Sequence, residues 1–156
     1  MLASKLLGVV GIFMMANYAA ANKRCGKPCP PFWSQWRNKC YKMHGADVTW
    51  EEGEQICVKL GGVMIVPQSK EELQHLINMS SVRHLLIGCN DIQTEGTWVC
   101  LDEEGTIDVQ DKRWLDGQPN NKGVNQDCAV ARTEGWNDDD CGIQRKLICQ
   151  RPVRAL

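Results

Sequence analysis

The chain has 156 residues, with 18 basic and 19 acidic side chains and a formal net charge of −1. This length suffices for one domain with its own hydrophobic core. The balanced charge, without a basic tract, argues against a nucleic-acid partner. The sequence also lacks a His-Glu-x-x-His motif, a glycine-rich phosphate loop and a supported Ser-His-Asp order, so we expect a protein that is not an enzyme.

Residues 1–21 have the composition of a secretory signal peptide. Lys5 is their only charge, an apolar run extends from Leu6 to Ala16, and Ala19 and Ala21 precede the predicted cleavage site. The apolar run is shorter than the ~20 residues of a membrane-spanning helix. We therefore predict a secreted, extracellular protein without membrane insertion, with a short N-terminal tail at 22–28. The alternative is that the segment remains as an anchor.

The nine cysteines indicate a disulfide framework, because all of them follow the signal peptide. Zinc binding is the rival interpretation, but the three histidines are scattered and no Cys-x-x-Cys pair is present. An odd count leaves one thiol over, and Cys25, in the tail, is the best candidate. It either forms a disulfide-linked homodimer or stays free or capped.

The first predicted elements are a small hairpin and two helices. Phe32–Trp36, between Cys29 and Cys40, is interpreted as a strand and turn. The first helix begins at the capping box Thr49-Trp50-Glu51-Glu52 and ends at Gly61-Gly62. The second begins at Ser69-Lys70-Glu71-Glu72, with Ser69 as the cap and Glu72 as its reciprocal partner. The buried faces are predicted to contain Ile56, Cys57 and Leu60, and Leu73, Leu76 and Ile77.

Two residues of the second helix bear on function. His75 could serve as a ligand or a base, but its place among helix-surface residues indicates a solvated side chain. Asn78-Met79-Ser80 is an N-glycosylation sequon, which in a secreted chain predicts an exposed, glycosylated Asn78. The alternative is that the sequon is unused.

The second half of the chain is strand-like around one long loop. Strands are predicted at 85–89, 97–101, 127–132 and 146–150, and a polar loop at 101–126. If the first two strands pair as a hairpin, Cys89 and Cys100 come within bridging distance. Two capped helices followed by short strands indicate an α+β domain.

Short motifs follow one another along the chain from Cys29 to Cys149. They are Cys29-Pro30-Pro31-Phe32-Trp33, Cys40-Tyr41, Thr49-Trp50-Glu51-Glu52, Leu86-Ile87-Gly88-Cys89-Asn90-Asp91, Thr94-Glu95-Gly96-Thr97-Trp98, Gln118-Pro119-Asn120, Asp127-Cys128, Trp136-Asn137-Asp138, Cys141 and Cys149. In this order they resemble a C-type lectin-like domain of the long form, here at 29–151 and followed by a tail at 152–156. The layout is similar to small secreted invertebrate C-type lectins. The resemblance implies an α+β fold in which two helices flank small antiparallel sheets, with a long calcium-binding loop and stabilising disulfides.

The same resemblance implies three disulfides, Cys29–Cys40, Cys57–Cys149 and Cys128–Cys141. Cys89 stands where the family usually has a leucine, and Cys100 where it usually has an aromatic residue. Because these two departures fall on strands predicted to pair, we predict a fourth disulfide, Cys89–Cys100.

The resemblance also implies two Ca²⁺ sites. The sugar-site calcium, and with it the carbohydrate, would be held by Gln118, Asn120, Gln126, Asn137 and Asp138. The auxiliary calcium would be held by Asp91, Glu95, Asn121 and Asp127, with Gln126 bridging toward the first site. Gln126 replaces the family's usual Glu, so Asp138 is the only carboxylate of the sugar site, and we expect weak calcium binding there. The auxiliary site has three carboxylates and is the better cation site on charge grounds.

The function implied is calcium-dependent glycan binding, and recognition of microbial glycans in innate immunity is the role we expect for it. Gln118 and Asn120 combine halves of the family's galactose-type and mannose-type motifs. We slightly favour galactose or N-acetylgalactosamine over mannose because Gln118 leads the motif, although no tryptophan directly follows Asn120 to stack on galactose. The alternative is a calcium-independent protein-binding or ice-binding module on the same fold.

Overall fold

The structure is a computed structural model that describes residues 29–123 and 125–153. The predicted signal peptide at 1–21, the tail at 22–28 with Cys25, and residues 154–156 lie outside this range. Among the described residues, no helix is both long and apolar enough to cross a membrane.

The described residues form an α+β domain, which confirms the predicted fold class. The helices are α1 (Trp50–Lys59) and α2 (Lys70–Ser80). The strands are β1 (Ser34–Trp36), β2 (Lys39–Val48), β3 (Val63–Met64), β4 (Leu85–Asn90), β5 (Trp98–Cys100), β6 (Thr106–Ile107), β7 (Cys128–Ala131), β8 (Trp136–Asp139) and β9 (Arg145–Pro152).

The strands connect into one branched sheet with the order β1-β2-β9-β4-β5-β6. Strand β3 pairs with β9, and β7 joins β4 to β8. All pairs are antiparallel except β4 with β9. The pairing of β2 with β9 brings the two ends of the domain together, with Lys42 opposite Cys149. Strand β4 is thereby placed in contact with β5, β7 and β9 at the centre of the domain.

Helix α1 begins and ends where the sequence predicts. Thr49 Oγ1 accepts a hydrogen bond from the Glu52 amide, and Glu52 Oε2 accepts one from the Thr49 amide at 2.9 Å, which closes the capping box. At the other end Gly61 has a φ of +74°, and a Cβ on Gly62 would collide with the carbonyl oxygen of Gln150. The two glycines therefore end the helix close against β9.

The capping prediction for α2 is only half correct. Ser69 Oγ accepts from the Glu72 amide at 3.1 Å, but the Glu72 carboxylate does not return to the Ser69 amide. It instead accepts from the Tyr41 hydroxyl at 2.6 Å, Lys39 Nζ at 2.8 Å and the Gln68 amide at 2.9 Å. A buried hydroxyl and an ammonium group bind a carboxylate more strongly than an exposed amide does. Burial, together with Glu72, also raises the pKa of Tyr41.

The expectation that His75 is solvated is wrong. Its ring is half-buried and stacks on Trp36 with 5.3 Å between centroids. His75 Nε2 is buried without a hydrogen-bond partner. His75 therefore packs the β1–β2 hairpin against α2, which is a structural role.

Four disulfides join the described elements, and their pairs are the ones expected. Cys89 and Cys100 lie opposite each other on β4 and β5. The other three are Cys29–Cys40, Cys57–Cys149 and Cys128–Cys141. The predicted loop at 101–126 contains the short strand β6, which pairs with β5 and so extends this hairpin.

We predict that Glu72→Ala lowers the free energy of unfolding by about 2–4 kcal/mol, because it leaves the buried Tyr41 hydroxyl and Lys39 Nζ without their shared acceptor. Urea unfolding with the disulfides intact measures the change. The matched control is Glu71→Ala on the exposed face of the same turn, which should change stability by less than about 0.5 kcal/mol. Equal effects of the two substitutions would contradict the assigned role of Glu72.

Candidate functional site

The long loop is attached to β8 by backbone hydrogen bonds. The Arg113 carbonyl accepts from the Trp136 amide at 2.7 Å, and the Leu115 amide donates to the Trp136 carbonyl at 2.9 Å. Between them Trp114 forms an isolated bridge with Trp136, and the two rings meet edge to face. The Gln118 amide then donates to the Leu115 carbonyl at 2.9 Å. This attachment carries the Gln118–Asn121 segment to β8.

Arg113 reinforces the attachment from the side. Its guanidinium donates to both carboxylate oxygens of Glu104 at 2.7 Å and to both of Asp111 at 2.8 Å. It also donates to Gln68 Oε1 at 3.1 Å and lies 4.7 Å from the centre of the Trp136 ring. Burial lowers the pKa of Arg113, but the hydrogen bonds to Asp111 and Glu104 outweigh burial and raise the pKa above its ordinary value. Arg113 thus connects the loop to Gln68, just before α2, and to Trp136 of β8.

The Gln118–Asn121 segment meets Asn137 and Asp138 of β8. Asp138 Oδ2 accepts from the backbone amides of Asn120, at 2.9 Å, and Asn121. Asp138 Oδ1 and Gln118 Oε1 are both buried without a hydrogen-bond partner. Asn137 Nδ2 donates to the Asp138 carbonyl. The Gln118–Pro119 peptide bond is cis. Hydrogen bonds from the loop therefore connect it directly to Asp138, the one carboxylate of the predicted sugar site.

Gln126 reaches the same loop through a backbone amide. The Lys122 amide donates to Asn120 Oδ1 at 2.9 Å and to Gln126 Oε1 at 2.8 Å. The Gln126 amide in turn donates to Asn121 Oδ1 at 3.0 Å. Gln126 is therefore beside Asn120 and Asn121, with its side-chain oxygen engaged within the protein.

The four residues predicted for the auxiliary site lie beside this loop. The Asp91 amide donates to the Asp127 carbonyl at 3.0 Å, which joins the end of β4 to the start of β7. Asp91 Oδ2 accepts from the Gly96 amide at 2.8 Å, while Asp91 Oδ1 is buried without a partner. Asn121 Nδ2 donates to Glu95 Oε2. Asn121, a member of the auxiliary set, thus contacts both sets, through its backbone amide to Asp138 and its side chain to Glu95.

The carboxylates of the two sets affect one another electrostatically. Burial raises the pKa of Asp91, and the negative charges of Asp127 and Asp138 raise it further. Partial desolvation raises the pKa of Glu95, and the negative charges of Asp91, Asp127 and Asp138 raise it further. Negative charge is therefore concentrated where the loop meets the ends of β4, β7 and β8.

The donor set fits a hard cation such as Ca²⁺. Three buried side-chain oxygens, Asp91 Oδ1, Gln118 Oε1 and Asp138 Oδ1, have no hydrogen-bond donor, although an isolated buried polar atom is costly. Carboxylate and amide oxygens are the ligands that calcium prefers. Within residues 29–123 and 125–153, no three carboxylate, histidine or cysteine groups converge closely enough to hold a metal by themselves. Amide or backbone oxygens would have to complete either site.

The fold and the loop together define a small disulfide-bonded α+β domain in which polar residues on and next to the strands meet one long loop. The family described as "Lectin C-type domain" matches residues 46–151. The chain therefore belongs to the C-type lectin domain family.

Similar proteins include human CD209 antigen, which is 34% identical over 135 residues covering 85% of this chain and 33% of that protein. The chain spans about a third of the length of the curated relatives it matches. The cow CD23 carbohydrate-recognition domain, crystallised in the presence of the oligosaccharide GlcNAc2Man3, matches with a TM-score of 0.72, 28% identity, 82% of this chain and 98% of that chain. A calcium-independent type II antifreeze protein matches with a TM-score of 0.69 and 24% identity, over 83% and 96% of the two chains, which shows the shared fold alone.

Sequence reasoning missed two contributors to this site. One is the Lys122 backbone amide, because a main-chain donor leaves no residue-type signal. The other is Arg113, whose partners Gln68 and Trp136 are distant in sequence. A pattern of local spacing gives no indication of either contact.

We predict that Arg113→Lys lowers the free energy of unfolding by about 1–3 kcal/mol, because one ammonium cannot replace the paired hydrogen bonds to Glu104 and Asp111. Chemical unfolding measures the loss, and limited proteolysis should show earlier cleavage in the long loop. Lys112→Ala, at the exposed neighbouring position, is the control and should resemble the unmodified protein. Wild-type stability and cleavage of Arg113→Lys would show that the guanidinium network does not hold the loop.

Proposed function

We propose that this protein is a secreted lectin that binds glycans in a calcium-dependent manner. The binding site would lie where the Gln118–Asn121 segment meets Asn137 and Asp138 of β8, here called the loop–β8 site. The observation that carries the proposal is the group of buried, donor-free oxygens on Asp91, Gln118 and Asp138, in a chain of the C-type lectin domain family. A cation would satisfy these oxygens and offset both the burial and the repulsion from Asp127 and Asp138 that raise the pKa of Asp91. The cow CD23 domain, studied with an oligosaccharide, supports a sugar ligand for this fold.

Two sets of residues would bind calcium in this proposal. Gln118, Asn120, Gln126, Asn137 and Asp138 would hold the sugar-site Ca²⁺, and Asp91, Glu95, Asn121 and Asp127 the auxiliary Ca²⁺. Bound calcium would supply open coordination positions for sugar hydroxyl oxygens. Asp138 already orders the loop through the Asn120 and Asn121 amides, so the carboxylate both fixes the backbone and contributes negative charge.

Sugar preference would depend on Gln118 and Asn120. A carboxylate only accepts hydrogen bonds, whereas an amide both donates and accepts, so two amides can orient sugar hydroxyls in either sense. We favour galactose or N-acetylgalactosamine over mannose because the amide Gln118 leads the motif. We further propose that this binding serves glycan recognition in innate immunity. The protein would then act by binding the glycan, without catalysing a reaction. Covalent pairing through Cys25 would make binding multivalent and so stronger.

A second function is favoured by one specific observation. The Lys122 amide already satisfies Asn120 Oδ1 and Gln126 Oε1, so part of the sugar set is closed without an ion. The calcium-independent type II antifreeze protein, which shares this fold, is named for a function of another kind. The second candidate is therefore a calcium-independent protein-binding or ice-binding module.

A glycan array separates the two functions. Refolded protein with all four disulfides verified is applied in calcium and again in chelator. We expect binding to glycans with terminal galactose or N-acetylgalactosamine that chelator abolishes. Asp138→Asn, which removes the only carboxylate of the sugar set, should abolish it as well. Binding that survives chelator, or a blank array from correctly bridged protein, would overturn the lectin proposal.

We predict that Gln126→Glu tightens calcium binding by about tenfold, because calcium affinity increases with the number of charged ligands. Calcium titration followed by intrinsic tryptophan fluorescence or calorimetry measures the change. Gln110→Glu, which adds the same charge at an exposed position elsewhere in the long loop, is the matched control. An identical affinity for both variants would mean that Gln126 does not face the ion.

A further inference from the structure

A basic cluster lies away from the loop–β8 site, where three strands run side by side. Leu85 of β4 pairs with Ala131 of β7 in the antiparallel sense and with Lys146 of β9 in the parallel sense. One residue further toward the same edge come His84, Arg132 and Arg145. His84 therefore has an arginine on each side, and Arg83 precedes it. The basic cluster, as used below, consists of Arg83, His84, Arg132 and Arg145.

Most of the positive charge in the basic cluster is uncompensated. Within the described ranges, Arg83 and Arg132 form no ion pair, and both are exposed. Arg145 Nη2 contacts Asp139 Oδ2 at 2.6 Å, but Arg145 Nε is buried without a hydrogen-bond partner. Burial and the three guanidinium groups lower the pKa of His84, while Asp139 opposes them.

A surface groove adjoins the basic cluster. It has a volume of about 560 Å³, and its lining includes Asn78, Ser81, Arg83, Thr133 and Glu134. Thr133 and Glu134 belong to the turn that the Arg132 amide closes by donating to the Gly135 carbonyl at 2.7 Å. Glu134 is the one acidic side chain of this lining. Ile77 and Val82 complete the lining, so the groove has mixed polar and apolar walls with Arg83 among them.

We propose that the basic cluster is a second binding site, which takes polysaccharides bearing sulfate or phosphate groups. Guanidinium groups match the geometry of tetrahedral oxyanions through paired N–H donors. Adjacent strands are about 4.8 Å apart, so Arg132, directly after β7, and Arg145 of β9 are about 10 Å apart on the two sides of β4, with Arg83 just before that strand. That span suits several anionic groups in series rather than a single ion. The choice of a glycan over other polyanions rests on the proposed lectin function, whereas the cluster itself involves no residue of the calcium sites.

The test measures binding of dextran sulfate, a phosphorylated mannan and neutral dextran by calorimetry at about 150 mM salt, where weak long-range attraction is screened. Bacterially expressed, refolded protein is used, because a glycan on Asn78 would stand in the adjoining groove. We expect dextran sulfate or phosphomannan to bind in chelator and neutral dextran not to bind. The two charged polymers show whether sulfate or phosphate is preferred.

Substitutions then locate the site. Arg83→Gln combined with Arg132→Gln should weaken polyanion binding by about tenfold, the loss expected for one or two charge-assisted hydrogen bonds. The matched control, Lys59→Gln combined with Lys70→Gln, removes two exposed charges on α1 and α2 and should change it less than about twofold. Melting temperatures verify that both double variants fold.

Asp138→Asn distinguishes this proposal from the lectin proposal, since it removes the carboxylate of the sugar set and should leave polyanion binding unchanged. Polyanion binding that needs calcium or disappears in Asp138→Asn would assign it to the loop–β8 site. Equal losses in the two double variants would indicate diffuse charge, and no binding of either charged polymer would exclude the site. Each of these three outcomes overturns the proposal, and none of them depends on a positive glycan array.

Discussion

The backbone bridge between Trp114 and Trp136 is the contact on which the arrangement of the functional loop depends. Two main-chain hydrogen bonds join Arg113 and Leu115 to Trp136, the residue directly before Asn137 and Asp138. The Trp98, Trp114 and Trp136 rings pack in succession behind the bridge. A polar loop that would otherwise lose conformational entropy without compensation is therefore fixed by buried aromatic contacts. The bridge therefore determines where the Gln118–Asn121 segment lies relative to Asn137 and Asp138.

The loop is held partly by groups that would also bind the ion. Asp138 uses one oxygen to order the Asn120 and Asn121 amides and leaves the other without a donor. Glutamine at positions 118 and 126 reduces charge repulsion, which makes the loop easier to close, and it also reduces the attraction for a cation. The same two residues thus influence both the stability of the loop and its calcium affinity, in opposite senses.

The features that the sequence predicts well depend on neighbours along the chain. The capping box at Thr49, the glycines that end α1 and the α+β fold class are confirmed, because local spacing determines caps and element order. The resemblance placed the proposed ligands, which the structure brings together around one loop. The two wrong predictions, for Glu72 and His75, concern side chains whose partners are distant in sequence. Glu72 satisfies Tyr41 and Lys39 rather than its own cap, and His75 stacks on Trp36, which lies far from it in the chain. A capping motif cannot reveal which distant donor competes for its carboxylate.

The position of the sequon on α2 relates glycosylation to the order of events during biosynthesis. Asn78 is exposed and accepts a hydrogen bond from Gln74, but Ser80, the residue that completes the sequon, is 6% exposed and donates its hydroxyl to the Ile77 carbonyl. An enzyme that reads the whole tripeptide cannot reach that hydroxyl once the helix has packed. Any glycan on Asn78 must therefore be attached to the nascent chain before α2 folds. The occupancy of Asn78 would then report how fast this helix forms relative to the transferase.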